Sequence, residues 1–189
     1  MKIQVQLTSE VRDKHGQLKN FTRHEANSFP RYIVDQIYAF LSGAAYTNGG
    51  LDTGGSTRTL AFGPNPAMSA LGAAGDATMG IVVGTGTNAV TIADRSLQTL
   101  IAHGTGAGQL SYGTVTFPQA PTVTGSTKNF TMQRTFTNNS AGSITVNEVG
   151  IYVNHSASAF KFCLDRTLDT KTVPVASTLT ETYTIGVTV

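Results

Sequence analysis

Two glycine-rich runs, Gly84-Thr85-Gly86-Thr87 and Gly104-Thr105-Gly106-Ala107-Gly108, are the first places where this chain invites a chemical reading, because glycine-lined backbone can cradle a phosphate. A phosphate loop also needs a lysine followed by Ser or Thr to meet the outer phosphates, and neither run supplies one. A dinucleotide fingerprint needs its third glycine at a fixed distance and a helix after it, and the second run is followed instead by a strand-like stretch. Both runs are expected to serve tight turns or close backbone packing. The four histidines, His15, His24, His103 and His155, lack the short spacing of a helical zinc site. Ser111 and Ser140 have no strand–elbow–helix setting, and Cys163 alternates with Phe162 and Leu164 with no histidine close in sequence. Acidic residues are scarce. Asp94, Asp165 and Asp169 are scattered, while Glu148 and Glu181 interrupt otherwise apolar strand faces, as do Arg134 and Arg166. An unpaired buried charge is very costly, so carboxylate–arginine pairs at a bulge or interface are the expectation. The reading is a chain that is not an enzyme, with no catalytic, cofactor-binding or metal-binding residue and no cofactor.

Those residues ride on strand-like elements. Ile3, Val5 and Leu7 alternate with Lys2, Gln4, Gln6 and Thr8, the period of a half-buried strand. Asp13 to Gln17 form a polar turn into a second strand near Leu18–Thr22, so the chain opens on a β-hairpin. One α-helix is predicted next. Ser28 serves as N-cap, Pro30 lies in the first turn, Ile33, Ile37, Phe40 and Leu41 form a stripe, and Gly43 ends it. Residues 44–79 are rich in Gly and Pro, with one short strand at Thr57–Phe62, and are expected to find their order against a neighbouring subunit.

From residue 80 onward strand signals recur. Gly80–Gly84 is a short buried strand, Ala89–Ile92 another, Asp94–Ile101 a helical turn, and Leu110–Phe117 a strand. Phe130, Met132, Arg134 and Phe136 share a face, and Asn138–Gly142 is a turn. Apolar residues then change phase between Val146 and Val149, which predicts a β-bulge near Glu148. Phe160, Phe162 and Leu164 form the next strand, and Leu179, Tyr183, Ile185, Val187 and Val189 the last. The fold class is therefore mainly β: a β-sandwich or jelly-roll-like domain over 80–189, preceded by the hairpin and helix of 1–43 and the loop or arm of 44–79, all parts of one compact unit.

Composition narrows the function classes. Charged residues are 13%, about half the usual share of roughly 25%, and the net charge is +2. No Lys/Arg block exists, so nucleic acid is not an expected partner. No apolar stretch approaches the roughly 18 residues of a membrane span, and the first residues lack a signal core. The single cysteine excludes an internal disulfide framework.

The stretches Gly80–Thr87, Ile101–Gly104, Leu110–Gly113, Phe136–Ser140, Val146–Tyr152 and Leu179–Val189 together resemble small virion proteins of tailed bacteriophages. The resemblance spans residues 80–189 and brings no catalytic residues with it. It implies a virion structural protein, made in the host cytoplasm. Such a protein self-associates, or decorates and cements the capsid, with other copies of itself and other virion proteins such as the major capsid protein as partners. The alternative it leaves open is a tail, neck or fibre component acting as a receptor- or carbohydrate-binding module, for which Tyr46, Tyr112 and Tyr152 are the candidate loop aromatics.

Overall fold

A computed structural model describes residues 2–25, 52–59, 69–154 and 160–188. The chain is mainly β, as its alternation predicts, and its sheets are antiparallel. The nine strands among the described residues are β1 (Lys2–Arg12), β2 (Leu18–Glu25), β3 (Gly80–Gly84), β4 (Ser111–Tyr112), β5 (Thr116–Thr124), β6 (Thr127–Thr137), β7 (Ile144–Asn154), β8 (Lys161–Val173) and β9 (Thr178–Thr188).

The opening hairpin forms where its turn residues place it. The Asp13 carboxylate accepts hydrogen bonds from the main-chain N–H groups of His15 (2.8 Å) and Gln17 (3.0 Å). Gly16 takes the left-handed backbone (φ 78°) that closes the turn. The hairpin is not set apart from the rest. β1 runs in unbroken register beside the last strand, from Lys2 opposite Thr188 to Arg12 opposite Thr178. On its other side β9 pairs as regularly with β6, from Thr178 opposite Thr137 to Thr188 opposite Thr127. The resulting order is β2-β1-β9-β6, with β4 and β5 sharing the far edge of β6. β5 carries Pro118 and Pro121 and pairs on one side only, the edge position where a missing N–H is tolerated.

The second sheet is β3-β7-β8. The two sheets contribute to one apolar core: Leu7, Val11, Phe136 and Leu179 from the first, and Ile81, Val83, Val149, Ile151, Phe162 and Val173 from the second. Burying each of the larger side chains contributes about 1.5–3 kcal/mol. The predicted phase change is present. Ile144 and Val146 belong to the core, as do Val149, Ile151 and Val153, and the ladder with β8 slips by one residue between Val146 and Glu148.

Several expectations are corrected. Ala89–Ile92 forms no strand, and Asp94–Ile101 forms no helical turn; both lie in an irregular loop from which Leu97 and Ile101 reach the core. Leu110–Phe117 is split into β4 and the start of β5, because the Gly113 N–H bonds Thr135 (2.8 Å) and the Val115 N–H turns to Gly72 (2.9 Å). β8 extends to Val173, well past the predicted Leu164. The helix predicted over 28–43 lies outside the described residues, as do much of 44–79 and His155. Of the strand expected at Thr57–Phe62, the described residues 58 and 59 are not in a strand.

Candidate functional site

Inward and outward residues alternate on β1, β9 and β6, and the two faces differ sharply. The outward face carries Thr178, Thr180, Thr182 and Thr184 on β9, Asn129, Thr131, Gln133, Thr135 and Thr137 on β6, and Gln6 and Thr8 on β1. They line up in rows across the sheet: Thr8 beside Thr182 beside Gln133, and Gln6 beside Thr184 beside Thr131. β-Branched threonine suits this pleated surface, and cross-strand pairs of this kind contribute about 0.2–1 kcal/mol each. The Gln133 amide donates to Thr182 Oγ1 at 3.0 Å. On this face β6 and β9 bear no charged side chain. Toward the β2 edge charge returns, and Arg12 and Glu10 pair there at 2.9 Å.

Where it is buried, the inward face of these three strands is apolar except for one row. Ser9, Glu181 and Arg134 stand opposite one another on β1, β9 and β6, between the row Leu7, Tyr183, Met132 and the row Val11, Leu179, Phe136. Arg134 was expected to find a carboxylate, and it does not. Its five N–H groups end on five main-chain carbonyls: Gly113 (2.7 Å), Met79 and Ile81 (both 2.9 Å), Ala73 (2.8 Å) and Asp76 (2.7 Å). The guanidinium also lies 4.8 Å from the Tyr112 ring centre. Burial draws its pKa down, with Tyr112 and Asp76 opposing. A planar fork saturated by carbonyl dipoles has no donor left for Glu181, which explains the correction.

Glu181 turns instead to Ser9 and to Lys171 Nζ at 3.7 Å. Burial pushes its carboxyl up to about 8, against the pull of Lys171 and Ser9. The Ser9 hydroxyl lies between two carboxyls, and its single proton is donated to Glu181 or to Asp169 Oδ2 (2.9 Å). Asp169 also pairs with Lys171 on its own strand, accepts from Thr22 Oγ1 (3.1 Å) and lies 2.9 Å from His24 Nε2. One carboxylate of β8 thereby binds β1 and β2 of the other sheet. A second link is Tyr183, whose hydroxyl donates to Asp165 Oδ2 at 2.8 Å, and burial pushes Asp165 up to about 6. Cys163 is buried beside it, and desolvation raises its thiol pKa.

The other expected pair does form. Arg166 Nε meets Glu148 Oε2 at 2.7 Å, Nη1 meets Asp94 at 2.8 Å, and Nη2 donates to the Asn88 carbonyl at 3.0 Å. Burial would raise the Asp94 carboxyl, but hydrogen bonds from Thr91 and the Arg166 charge outweigh it and hold it below its ordinary value. Glu148, fully buried, also accepts main-chain hydrogen bonds from Gly86 (3.0 Å), Gln98 (3.0 Å) and Thr99 (2.9 Å). The first glycine run therefore does cradle an anion, and the anion is the chain's own Glu148. A Cβ on Gly86 would stand 2.5 Å from Glu148 Oε1. The second run closes on Gln109, whose side-chain Oε1 accepts from the Gly106 N–H at 3.0 Å.

The remaining candidates are dispersed. His15 is exposed at the hairpin tip, and His103 Nδ1 accepts the Tyr112 N–H at 3.1 Å. Ser111 Oγ donates to the Gly104 carbonyl at 3.2 Å, and Ser140 Oγ to Asn138 at 2.7 Å. Tyr112 and Tyr152, offered as exposed loop aromatics, are 3% and 4% exposed. Their hydroxyls are bound to the Ile101 carbonyl and the Leu97 N–H, both at 2.6 Å. Tyr46 lies outside the described residues. A polar depression of about 390 Å³ is lined by Asn88, Asp94, Arg95, Gln98 and Arg166, and each nitrogen of the last already holds one partner. Ser9, His24 and Lys171 were not singled out by sequence reasoning as members of a common cluster. Their signal, if any, is the alternation of charged and polar residues along 165–173.

In comparison with known proteins, the chain matches no family model, no curated protein and no solved structure.

Proposed function

We propose that this chain is a structural protein of a bacteriophage virion. In this reading it is a β-sandwich or jelly-roll-like block that self-associates, or decorates and cements the capsid through the major capsid protein. The observation that carries the proposal is the outward face of β9 and β6, a continuous threonine, glutamine and asparagine surface without charge. A surface meant for water normally carries interspersed charges of both signs. A surface meant to be covered by a neighbour is depleted of them, because each charge must be desolvated on assembly.

The charged side chains of this protein lend the proposal further support. Asp52, Arg134, Glu148, Asp165, Arg166, Asp169, Lys171 and Glu181 are all buried, knitting strands and loops together. A rigid, internally cross-braced block suits a part that must hold its shape among neighbours. No helix among the described residues is long and apolar enough to cross a membrane. The tail, neck or fibre reading as a receptor- or glycan-binding module depends on exposed loop tyrosines, and burial of Tyr112 and Tyr152 favours the capsid-associated reading over it.

The test is mass spectrometry of particles banded by density from a lysate of the phage that encodes the chain. The expected result is the chain at a fixed stoichiometry to the major capsid protein. Recovery only in the soluble fraction contradicts the proposal.

A further inference from the structure

Among the described residues, β2 pairs with β1 alone, so its other edge is free of a partner strand. Two of its side chains are half-buried, Thr22 and His24, and both reach Asp169. These contacts hold β2 against the body. Lys19, Phe21, Arg23 and Glu25 alternate with them and are all exposed, Phe21 to 51%. A free strand edge with an exposed aromatic is a template for pairing with another chain, unless its side chains forbid it.

The order of side chains on β2 favours one partner. We propose that β2 pairs antiparallel with β2 of a second copy of this chain, about a two-fold axis at Thr22. This rests on the self-association proposed above and names the surface that performs it. In this register Lys19 lies opposite the partner's Glu25, and Phe21 opposite the partner's Arg23. The symmetry repeats both pairs, so the row Lys, Phe, Arg, Glu is complementary to itself read backwards. Each side gains an ion pair and a cation over an aromatic face. Sliding by two residues, the smallest step that keeps the faces matched, loses this. One direction sets Lys19 against the partner's Arg23, and the other sets Arg23 against the partner's Arg23. Like charges directly opposite are unfavourable, so the sequence selects the single register. Lys19 lies 3.1 Å from Asp13 within its own chain, but this half-exposed pair contributes little and leaves the ammonium free to reach across. An isologous contact of this kind closes on itself, giving a dimer whose two six-stranded sheets run on as one.

Sedimentation equilibrium of the full chain tests this with three proteins: the native chain, Glu25→Lys, and the double variant Lys19→Glu/Glu25→Lys. The native chain is expected to dimerise. Glu25→Lys places like charges opposite each other twice and is expected to weaken the dimer about tenfold or more. The double variant restores opposite charges and is expected to recover native affinity. Both positions are exposed, and unchanged circular dichroism establishes that each variant is folded. A native chain that stays monomeric overturns the inference, as does a Glu25→Lys variant that associates like the native chain, or a double variant that fails to recover. Association that ignores these charges leaves self-association standing and removes only this edge, whereas absence from particles removes the virion proposal itself.

Discussion

At the scale of single residues, Arg134 is the most heavily engaged side chain, with every donor ending on a carbonyl of the 73–81 segment or of Gly113. It gathers a stretch of chain with little regular structure and fastens it to the middle of the large sheet. Lysine has three donors on a flexible stem and cannot reproduce a planar fork. Arg134→Lys is therefore expected to lower stability by about 2–4 kcal/mol, since several buried carbonyls lose their partners. Urea unfolding measures the loss. Faster amide exchange over residues 73–81 than over β9 would place it in the segment this arginine holds. Glu148 does for residues 86–99 what Arg134 does for 73–81, with the sign of the charge reversed: a buried carboxylate gathers N–H groups.

Among the elements, the loop between β3 and β4 depends on that carboxylate and on the glycine that lets the backbone reach it. Gly86→Ala puts a methyl group 2.5 Å from Glu148 Oε1 and against Gln98. The expected cost is about 1–3 kcal/mol, read as a lower thermal midpoint, with the β1–β9 ladder intact by amide exchange. This loop also shows where the sequence could be read and where it could not. β1, β3, β6 and β9 were legible because their inward residues are mostly apolar and alternate strictly or run continuously, Ser9, Arg134 and Glu181 being isolated interruptions. The second half of β8 was not, because its buried residues include Asp165, Asp169 and Lys171, and a hydrophobic period does not register a strand whose inward side chains are charged. β5 was hidden by its two prolines. Ala89–Ile92 and Asp94–Ile101 looked regular because they hold apolar residues, yet their path is set by Glu148, Arg166 and Tyr152, partners more than 50 residues away or nearly so. The Glu148–Arg166 pair was legible as two charges interrupting apolar strands near a phase change. The Asp169 cluster was not, since it joins residues from β1, β2, β8 and β9 that only the sheet topology brings together.

For the whole molecule, the buried acids set a pH dependence. Asp165 and Glu181 have folded-state values pushed up to about 6 and about 8 from ordinary values of 3.8 and 4.5. Their neutral forms favour the fold. That contribution is complete below the unfolded-state values and is lost as pH rises through the folded ones, at up to about 1.4 kcal/mol per pH unit for each titrating group. Asp94 works in the opposite sense, its lowered value adding stability that is lost on acidification. The thermal midpoint is therefore expected to fall between pH 5 and pH 8. Glu181→Gln, neutral at every pH, is expected to flatten the upper part of that fall; a slope unchanged by the substitution would show that another group causes it.

The same internal use of charge leaves the outward face of β9 and β6 to threonine, glutamine and asparagine, and the proposed virion role requires that this face be covered in the particle. Thiol labelling tests that most directly. Cys163 is buried, so a Thr135→Cys chain carries one accessible thiol, on an exposed position of that face. Rapid labelling of the free protein is expected, with labelling slowed about tenfold or more in purified particles. Equal rates in the two states would contradict it.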